Sequence, residues 1–177
     1  TLMPPTLSGV WGVRDLALEG LKVGLKTVNR PPVLTHVQSP PQLTGLPLLQ
    51  LWPEDGGHFV TLPLVYTQHP QTGKHNLGMY RIQRYDDTTT GIHWQIHKGG
   101  GYHYHAAEKQ NQALPVTLMI GGPPALILSA IAPLPEDIPE LLLASLVLGE
   151  RLEMGKVPGH PLPVVAECEF AITGVVP

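Results

Sequence analysis

The sequence predicts an α+β domain, in which a small barrel or curled sheet carries helices on its outside. Three observations predict this class. Short strand-like runs separated by turns fill residues 57–96, helical segments alternate with an apolar strand from residue 102, and two strand-like runs close the chain. Strands followed by mixed helices and strands are typical of α+β folds. The 177 residues suffice for one domain with a hydrophobic core.

Residues 1–56 differ from the remainder, because proline pairs such as Pro4-Pro5 repeatedly interrupt regular structure. We expect one short helix there, from about Val13 to Leu25. The segment is interpreted as a linker or as the remnant of a preceding domain. The regular domain is predicted to span residues 57–177.

The elements of this domain follow from the spacing of apolar residues and from turn-forming residues between the runs. Strands are predicted at residues 58–62, 64–67, 77–84, 91–96, 116–120, 152–157 and 164–172. Helices are predicted at residues 102–112, after Gly121-Gly122-Pro123-Pro124, and at residues 138–148. Gly149 is expected to end the last of these helices.

The composition restricts the classes of protein and partner. Charged residues make up 14%, against about 25% in soluble domains. We therefore expect part of the surface to be buried against another domain or a second copy, so a homo-oligomer is possible. The net charge is −3 and the basic residues are scattered, which argues against a nucleic-acid partner. The single cysteine, Cys168, is interpreted as a small core residue in a cytoplasmic protein. No apolar run reaches the roughly 18–20 residues of a membrane span.

Residues 93–105 contain four of the nine histidines and therefore raise the question of a metal site. The spacing argues against zinc, because His93 and His97 would lie too far apart on a strand to meet at one ion. Two interpretations of His103 and His105 remain: a functional role, or hydrogen-bonded histidines at the surface.

The run Lys98-Gly99-Gly100-Gly101 before a predicted helix indicates a site for an anion such as a phosphate. Glycines allow a ligand close to the backbone, and the helix N-terminus and Lys98 supply positive potential. The alternative is a glycine run that merely ends a strand. Arg81 is a candidate carboxylate ligand, and its alternative is an exposed strand arginine.

Asn76 and Glu169 offer oxygen ligands of the kind that Mg²⁺ or Mn²⁺ prefers. Glu169 interrupts an otherwise apolar, strand-like stretch, so its carboxylate needs a partner if it is buried. Nothing in the spacing pairs these two residues.

Several of these runs together resemble the UbiD family of prenylated-FMN-dependent decarboxylases. The resemblance rests on motifs that follow one another in the family's order over about residues 40–177. They are Trp52–Gly57, Asn76–Arg81, Trp94, His97–Gly100, Gly121–Ala125, Ala132–Pro135 and Ala166–Glu169.

The resemblance implies a split β-barrel that binds FMN or prenylated FMN, and a non-oxidative decarboxylase of aromatic acids such as hydroxybenzoates. It implies that Asn76 and Glu169 bind a Mn²⁺ or Mg²⁺ ion at the flavin phosphate, and that Arg81 is catalytic and orients the substrate carboxylate. A K⁺ or Na⁺ ion often accompanies this site in the family. The implied cofactor contacts are Asn76, Met79, Tyr80, Arg81, His93, Trp94, Gln95, Lys98 and Gly99.

The chain departs from the family pattern in ways that limit these expectations. Family members carry a proton-donating acid in a G-P-x-G-[ED]-x-x-G-Y run after this domain, and these 177 residues contain no such run. We therefore expect the C-terminal domain and most of the N-terminal domain to be missing, and this chain to be inactive alone. His93 and Lys98 stand where relatives often have arginine. The alternatives are a non-catalytic flavin-binding module and a structural domain without a ligand.

Overall fold

A computed structural model describes residues 22–95, 97–135 and 138–177. Within these ranges the chain forms strands and α-helices, together with two short 3₁₀ helices at Pro32–Leu34 and Leu43–Gly45. The strands are β1 (Leu25–Val28), β2 (Leu64–Gln68), β3 (His75–Met79), β4 (Ile82–Arg84), β5 (Thr90–Ile92), β6 (Leu114–Ile120), β7 (Leu152–Lys156), β8 (Pro163–Val165) and β9 (Phe170–Val176). The helices are α1 (Gly99–Glu108), α2 (Pro124–Ile131) and α3 (Glu140–Leu148).

The strands form one larger and two smaller sheets in the described part of the chain. The larger sheet is antiparallel and has the order β3-β2-β6-β9. A second sheet has the order β1-β7-β8, with β1 parallel to β7, and β4 pairs with β5. The α+β class is therefore confirmed. The pairing closes no barrel among the described residues, and the split barrel stays a prediction.

The larger sheet is covered on both faces, since successive residues of a strand point to opposite sides. Leu64 of β2 packs in a buried cluster that includes Leu141 of α3. The next residue, Val65, packs in a second cluster with Tyr80 and Leu118. Burial on both faces explains why four of the five residues of β2 are buried.

Two predicted strands are each divided in the structure. The run at residues 77–84 becomes β3 and β4, which belong to different sheets, and the chain changes sheet at Tyr80 and Arg81. The run at residues 164–172 becomes β8 and β9 for the same reason. Apolar alternation continues across both breaks, so the sequence pattern alone does not locate them.

The predicted strand at residues 58–62 is wrong. Phe59 makes only isolated bridges, to Leu49 and to Gln83, and Leu62 has a left-handed φ of 48° that ends the extended run. The predicted strand at residues 91–96 is also too long, because the regular pairing of β5 ends at Ile92.

The helices after residue 97 form close to their predicted places. The glycine run is an exception, because α1 begins at Gly99 and the glycines form its first turn. Gly149 ends α3 with a φ of 72°, as predicted. Of the helix predicted at residues 13–25, the part up to residue 21 lies outside the described residues, whereas Leu25 begins β1 instead. The proposed domain boundary before residue 57 stays a prediction.

Cys168 is a buried core residue, as the sequence predicted. Burial, aided by the charges of Glu167 and Glu169, raises the pKa of its thiol to about 12, so the thiol stays protonated and unreactive. Among the described residues, none of the helices has the length and hydropathy that crossing a bilayer requires.

Helix α1 is attached to the larger sheet through a buried histidine. His103 lies with its Nδ1 atom 2.8 Å from the Thr67 hydroxyl of β2, and its ring meets His69 edge-on at 5.4 Å. Burial, and then the charges of His69 and His75, lower the pKa of His103 to about 4. His103 is therefore a neutral structural residue at neutral pH.

This histidine predicts how the stability of the fold depends on pH. The unfolded chain takes up a proton at His103 near pH 6.5, whereas the folded chain does so only near pH 4. The free energy of unfolding should thus fall as the pH is lowered from 6.5 to 4. His103→Gln should flatten this dependence in urea unfolding measured across the window. His105→Gln, at an exposed position of the same helix, is the control, and a wild-type slope in His103→Gln would contradict this role of His103.

Candidate functional site

The candidate site lies where strand β3 meets the N-terminus of helix α1. The Asn76 side chain rests on the backbone of Gly99, so closely that a Cβ atom at position 99 would overlap its Oδ1 atom. Asn76 thus lies beside the first turn of α1, where the backbone N–H groups of the helix start are free of intrahelical partners. We call this region the β3–α1 corner, comprising Asn76, Tyr80, Trp94, Gly99 and Gly100.

Tyr80 joins the two elements of the corner. Its hydroxyl oxygen accepts a hydrogen bond of 2.8 Å from the Gly100 amide and a longer one of 3.4 Å from the Asn76 amide group. Burial raises the pKa of Tyr80, and the two hydrogen bonds only partly offset this effect. The hydroxyl therefore keeps its proton, and with both bonds accepted it can donate that hydrogen to a third group.

Trp94 completes the wall of the corner. Its ring meets Tyr80 edge-on at 5.0 Å and stacks on Tyr104 at 6.0 Å. The indole Nε1 atom is buried and has no hydrogen-bond partner among the described residues. A buried donor of this kind normally has a partner, so an acceptor on a bound ligand would fit here.

The electrostatics of the corner suit a phosphate. Lys98 is the N-cap of α1. Its side chain is exposed and forms no capping hydrogen bond. The helix start carries partial positive charge, and its first turn holds no acidic residue. The glycine run permits the close packing of Asn76, Tyr80 and Trp94 against the helix start.

The carboxylate of Glu140, at the start of helix α3, reaches the backbone of strand β3. Glu140 is the first residue of α3, and its Oε2 atom accepts a hydrogen bond of 3.2 Å from the Leu77 amide. Its negative charge adds to burial in raising the pKa of Tyr80. Burial lowers the pKa of His75, and the charge of Glu140 opposes this effect. The contact of Glu140 with the Leu77 amide follows from tertiary structure alone.

Glu169, the predicted metal partner of Asn76, lies elsewhere on the sheet. It is exposed just before β9, where its amide donates to Ile120 and its carboxyl group rests on Gly121. Strands β3 and β9 are the two edges of the sheet and are separated by three strand spacings, about 14 Å when followed along the sheet. The pairing of Asn76 with Glu169 stays a prediction.

Arg81 follows the corner directly and is exposed. Its guanidinium carbon lies 3.9 Å from the centre of the Phe59 ring, and Nη2 lies 3.8 Å from the Asp55 carboxylate. The backbone carbonyl of Arg81 accepts a hydrogen bond from His93, which links β4 to the segment before α1. Phe59 and Asp55 thus restrain the guanidinium of Arg81, which otherwise remains accessible to solvent.

The remaining predicted cofactor residues are distributed around the corner. Met79 packs against the buried cluster that contains Leu64, on the far side of the sheet from Val65 and Tyr80. The side chains of His93, Gln95 and Lys98 are exposed.

Two further observations bear on ligands. In the described part of the chain, no three His, Cys, Asp or Glu side chains cluster to hold a metal ion, so an ion here would need the Asn76 amide and oxygens of a ligand. One cleft, of about 550 Å³, is lined by residues 68–73, 107, 112–115 and 161–162 and includes none of the predicted site residues.

Comparisons with known proteins point to one family. Residues 26–177 match the family described as "UbiD: 3-octaprenyl-4-hydroxybenzoate carboxy-lyase Rift-related domain". An uncharacterized protein of Chlamydia muridarum is 51% identical over 174 residues, which are 97% of this chain and 30% of that protein. A Chlamydia pneumoniae protein, named as one of the subunits of a 4-hydroxybenzoate decarboxylase, is 47% identical over 98% of this chain and 30% of its own length. The chain therefore spans about 30% of these curated relatives.

Solved structures of the same class are also similar. The UbiD-class enzyme HmfF from Pelotomaculum thermopropionicum in complex with FMN is 25% identical, with a TM-score of 0.80 over 92% of this chain and 38% of HmfF. An evolved dimeric form of HmfF in complex with prFMN gives a TM-score of 0.81 at 25% identity, over 92% of this chain and 39% of that form. The open form of the vanillic acid decarboxylase of Sedimentibacter hydroxybenzoicus is 26% identical, with a TM-score of 0.72 over 86% of this chain and 32% of that chain.

The packing of the corner predicts a large effect from one methyl group. A Cβ atom at Gly100 would lie 2.6 Å from the Trp94 ring and 2.9 Å from the Tyr80 ring. Tyr80 is 2% exposed and cannot move away, so Gly100→Ala should destabilise the fold by about 1–3 kcal/mol. Denaturant unfolding measures this, with Gly174→Ala as control because nothing lies within 4 Å of a Cβ there. Equal stability of the two variants would show that the corner is not packed as described.

Proposed function

The chain belongs to the UbiD family, and from this premise we propose that it is the flavin-binding part of a decarboxylase that acts on an aromatic carboxylic acid. The observation that carries the proposal is the β3–α1 corner, where a glycine-lined helix start, a buried tyrosine hydroxyl and an unpartnered indole N–H converge. This donor set suits the phosphate of FMN or prenylated FMN. The solved relatives that hold FMN and prFMN support the choice of ligand.

The phosphate would be held by groups that the chain already orients. The backbone amides at the start of α1 would donate to phosphate oxygens, and Lys98 would add a positive charge. The Tyr80 hydroxyl, which accepts from Gly100 and Asn76, would donate its hydrogen into the same space. His93, Trp94 and Gln95 would line the rest of the cofactor, as the family resemblance implies. Met79, which the resemblance also implies, would contribute its backbone, because its side chain packs on the other face of the sheet.

A divalent cation would link the phosphate to the protein. Mn²⁺ and Mg²⁺ accept amide and carboxylate oxygens together with phosphate oxygens. Asn76 would supply the amide oxygen, and Glu140, whose carboxylate accepts a hydrogen bond from the amide of the neighbouring Leu77, would supply a carboxylate oxygen. Glu169 remains the partner that the family resemblance implies. We assign no residues to K⁺ or Na⁺.

The proposed reaction removes CO₂ from an aromatic acid. Arg81 would pair with the substrate carboxylate through its exposed guanidinium edge and orient that group. When bound, the prenylated flavin supplies the electron sink that accepts the bonding electrons of the departing carboxylate. The apolar wall formed by Trp94 and Tyr80 would exclude water from the cofactor side of the corner.

The substrate class and the assembly follow from relatives and are also proposals. One relative is named as a subunit of 4-hydroxybenzoate decarboxylase, which supports a hydroxybenzoate substrate and an assembly of several chains. Because the chain spans about 30% of such relatives, the complete activity would draw on residues from the remainder of the protein, including a proton donor.

Metal-dependent flavin affinity tests the cofactor site. Asn76→Ala and Glu140→Gln should each weaken FMN binding by about 10- to 100-fold in the presence of Mn²⁺, because each removes a ligand or a charge at the ion. Glutamine retains an acceptor for the Leu77 amide, so Glu140→Gln should fold normally. Fluorescence quenching of FMN measures the affinity, with EDTA as the metal-free reference.

Glu169→Gln is the matched variant in this experiment. We expect wild-type affinity for FMN, because Glu169 lies at the opposite edge of the sheet. Weakened binding in Glu169→Gln together with normal binding in Glu140→Gln would instead establish the metal pair that the sequence indicated.

Decarboxylation by the full-length, prenylated-flavin-loaded protein tests the activity. Arg81→Lys should lower kcat/KM for 4-hydroxybenzoate by at least about tenfold, because an ammonium group lacks the bidentate geometry of guanidinium. Release of CO₂ from ¹³C-carboxyl-labelled substrate gives the rate. Flavin binding without any CO₂ release from hydroxybenzoates or related aromatic acids would favour a non-catalytic flavin-binding module.

A further inference from the structure

The segment Trp52–Val60 has no role in the cofactor site, yet it lies against Arg81. Two of its side chains contact the guanidinium directly. The Phe59 ring lies beneath it at 3.9 Å, and Asp55 faces its edge at 3.8 Å. The Trp52–Val60 segment, which the proposed cofactor site does not use, therefore lies next to Arg81, the residue proposed to bind the substrate carboxylate.

Backbone hydrogen bonds hold this segment to strand β4. The Val60 amide donates to Ile82, and the Arg84 amide donates to His58, at 3.0 and 2.9 Å. These bonds flank Phe59 on both sides. The ring therefore has a fixed position from which to orient Arg81.

Asp55 is also fixed, but its contact with Arg81 is loose. Its Oδ2 atom accepts a hydrogen bond of 3.3 Å from the Trp52 amide, which leaves Oδ1 to face the guanidinium. At 3.8 Å the pair is an ion pair without a direct hydrogen bond. The Arg81 side chain is 63% exposed and that of Asp55 is 20% exposed. A partly exposed pair at this distance contributes little binding energy.

The two contacts act on different parts of the guanidinium. Phe59 covers one flat face and restrains the plane through cation–π attraction, but it uses none of the N–H groups. Asp55 stands at the edge, where those N–H groups project and where an incoming carboxylate would bind. One contact therefore orients Arg81, whereas the other competes for its donors.

We propose that Phe59 and Asp55 are positioning residues for Arg81: Phe59 fixes the guanidinium plane, and Asp55 occupies the place that the substrate carboxylate takes. The inference rests on the proposed function, in which Arg81 binds that carboxylate. On binding, the substrate carboxylate replaces Asp55 at the guanidinium edge, and no covalent bond changes.

The two residues should have opposite effects on carboxylate affinity. Phe59→Leu removes the platform and should weaken binding of benzoate about three- to fivefold. Asp55→Asn removes the competing charge and should tighten benzoate binding about two- to fivefold, while asparagine still accepts from Trp52. A general structural disturbance would weaken binding in both variants.

Isothermal titration of the full-length, flavin-loaded protein with benzoate measures these affinities, and benzamide serves as the uncharged probe. Phe59→Tyr retains the aromatic face and should restore wild-type benzoate affinity. Benzamide should bind wild type and Asp55→Asn equally. Weaker or unchanged benzoate binding in Asp55→Asn, an equal change for benzamide, or unchanged binding in Phe59→Leu would overturn the inference.

Arg81→Gln separates this inference from the proposed function. Loss of benzoate binding in Arg81→Gln, with no opposite effect of the other two variants, would overturn the positioning roles and leave Arg81 as the carboxylate ligand. Wild-type benzoate affinity in Arg81→Gln would instead refute the role of Arg81 itself, and the inference with it.

Discussion

The hydrogen bond from the Gly100 amide to the Tyr80 hydroxyl connects helix α1 to the point where the chain leaves strand β3. Tyr80 reaches this position because glycines stand on both sides of its ring, where a Cβ atom at Gly78 would lie 2.6 Å from the ring and one at Gly100 2.9 Å. The same bond sets the helix start beside Asn76. The donors that face a ligand are therefore oriented by a buried contact and require no ligand to hold them in place.

Charges of both signs meet at this corner. The start of α1 and Lys98 contribute positive potential, whereas Glu140 brings a carboxylate to β3 from the start of α3. A phosphate alone would satisfy only the positive side. A phosphate together with a divalent cation would satisfy both, which is why the metal belongs to the proposal and why Glu140, on the adjacent helix, is central to it.

The sequence was sufficient for the family, because the glycine run and the Asn76–Arg81 motif are local. It did not show that Glu140 lies at strand β3. Glu140 reaches β3 only through the packing of α3, and no spacing along the chain records that contact. The division of the run at residues 77–84 into β3 and β4 was missed for a similar reason, since the change of sheet at Tyr80 depends on α1 rather than on local alternation.

The role of the glycines also differs from the sequence-based interpretation. Close approach of a ligand to the backbone was expected, whereas Gly99 and Gly100 form the first helical turn and permit the close packing of Asn76, Tyr80 and Trp94. Similarly, the motif that begins at Trp52 resembled the family without a stated purpose, and its contacts now connect it to Arg81.

The most direct test of the corner as a metal-linked phosphate site is ³¹P NMR of FMN bound to the protein. We expect that Mn²⁺ added in equimolar amount broadens the bound phosphate signal beyond detection, and that Mg²⁺ leaves it sharp but shifted, because the ion contacts the phosphate directly. A bound phosphate signal that stays sharp in the presence of Mn²⁺ would contradict the central claim.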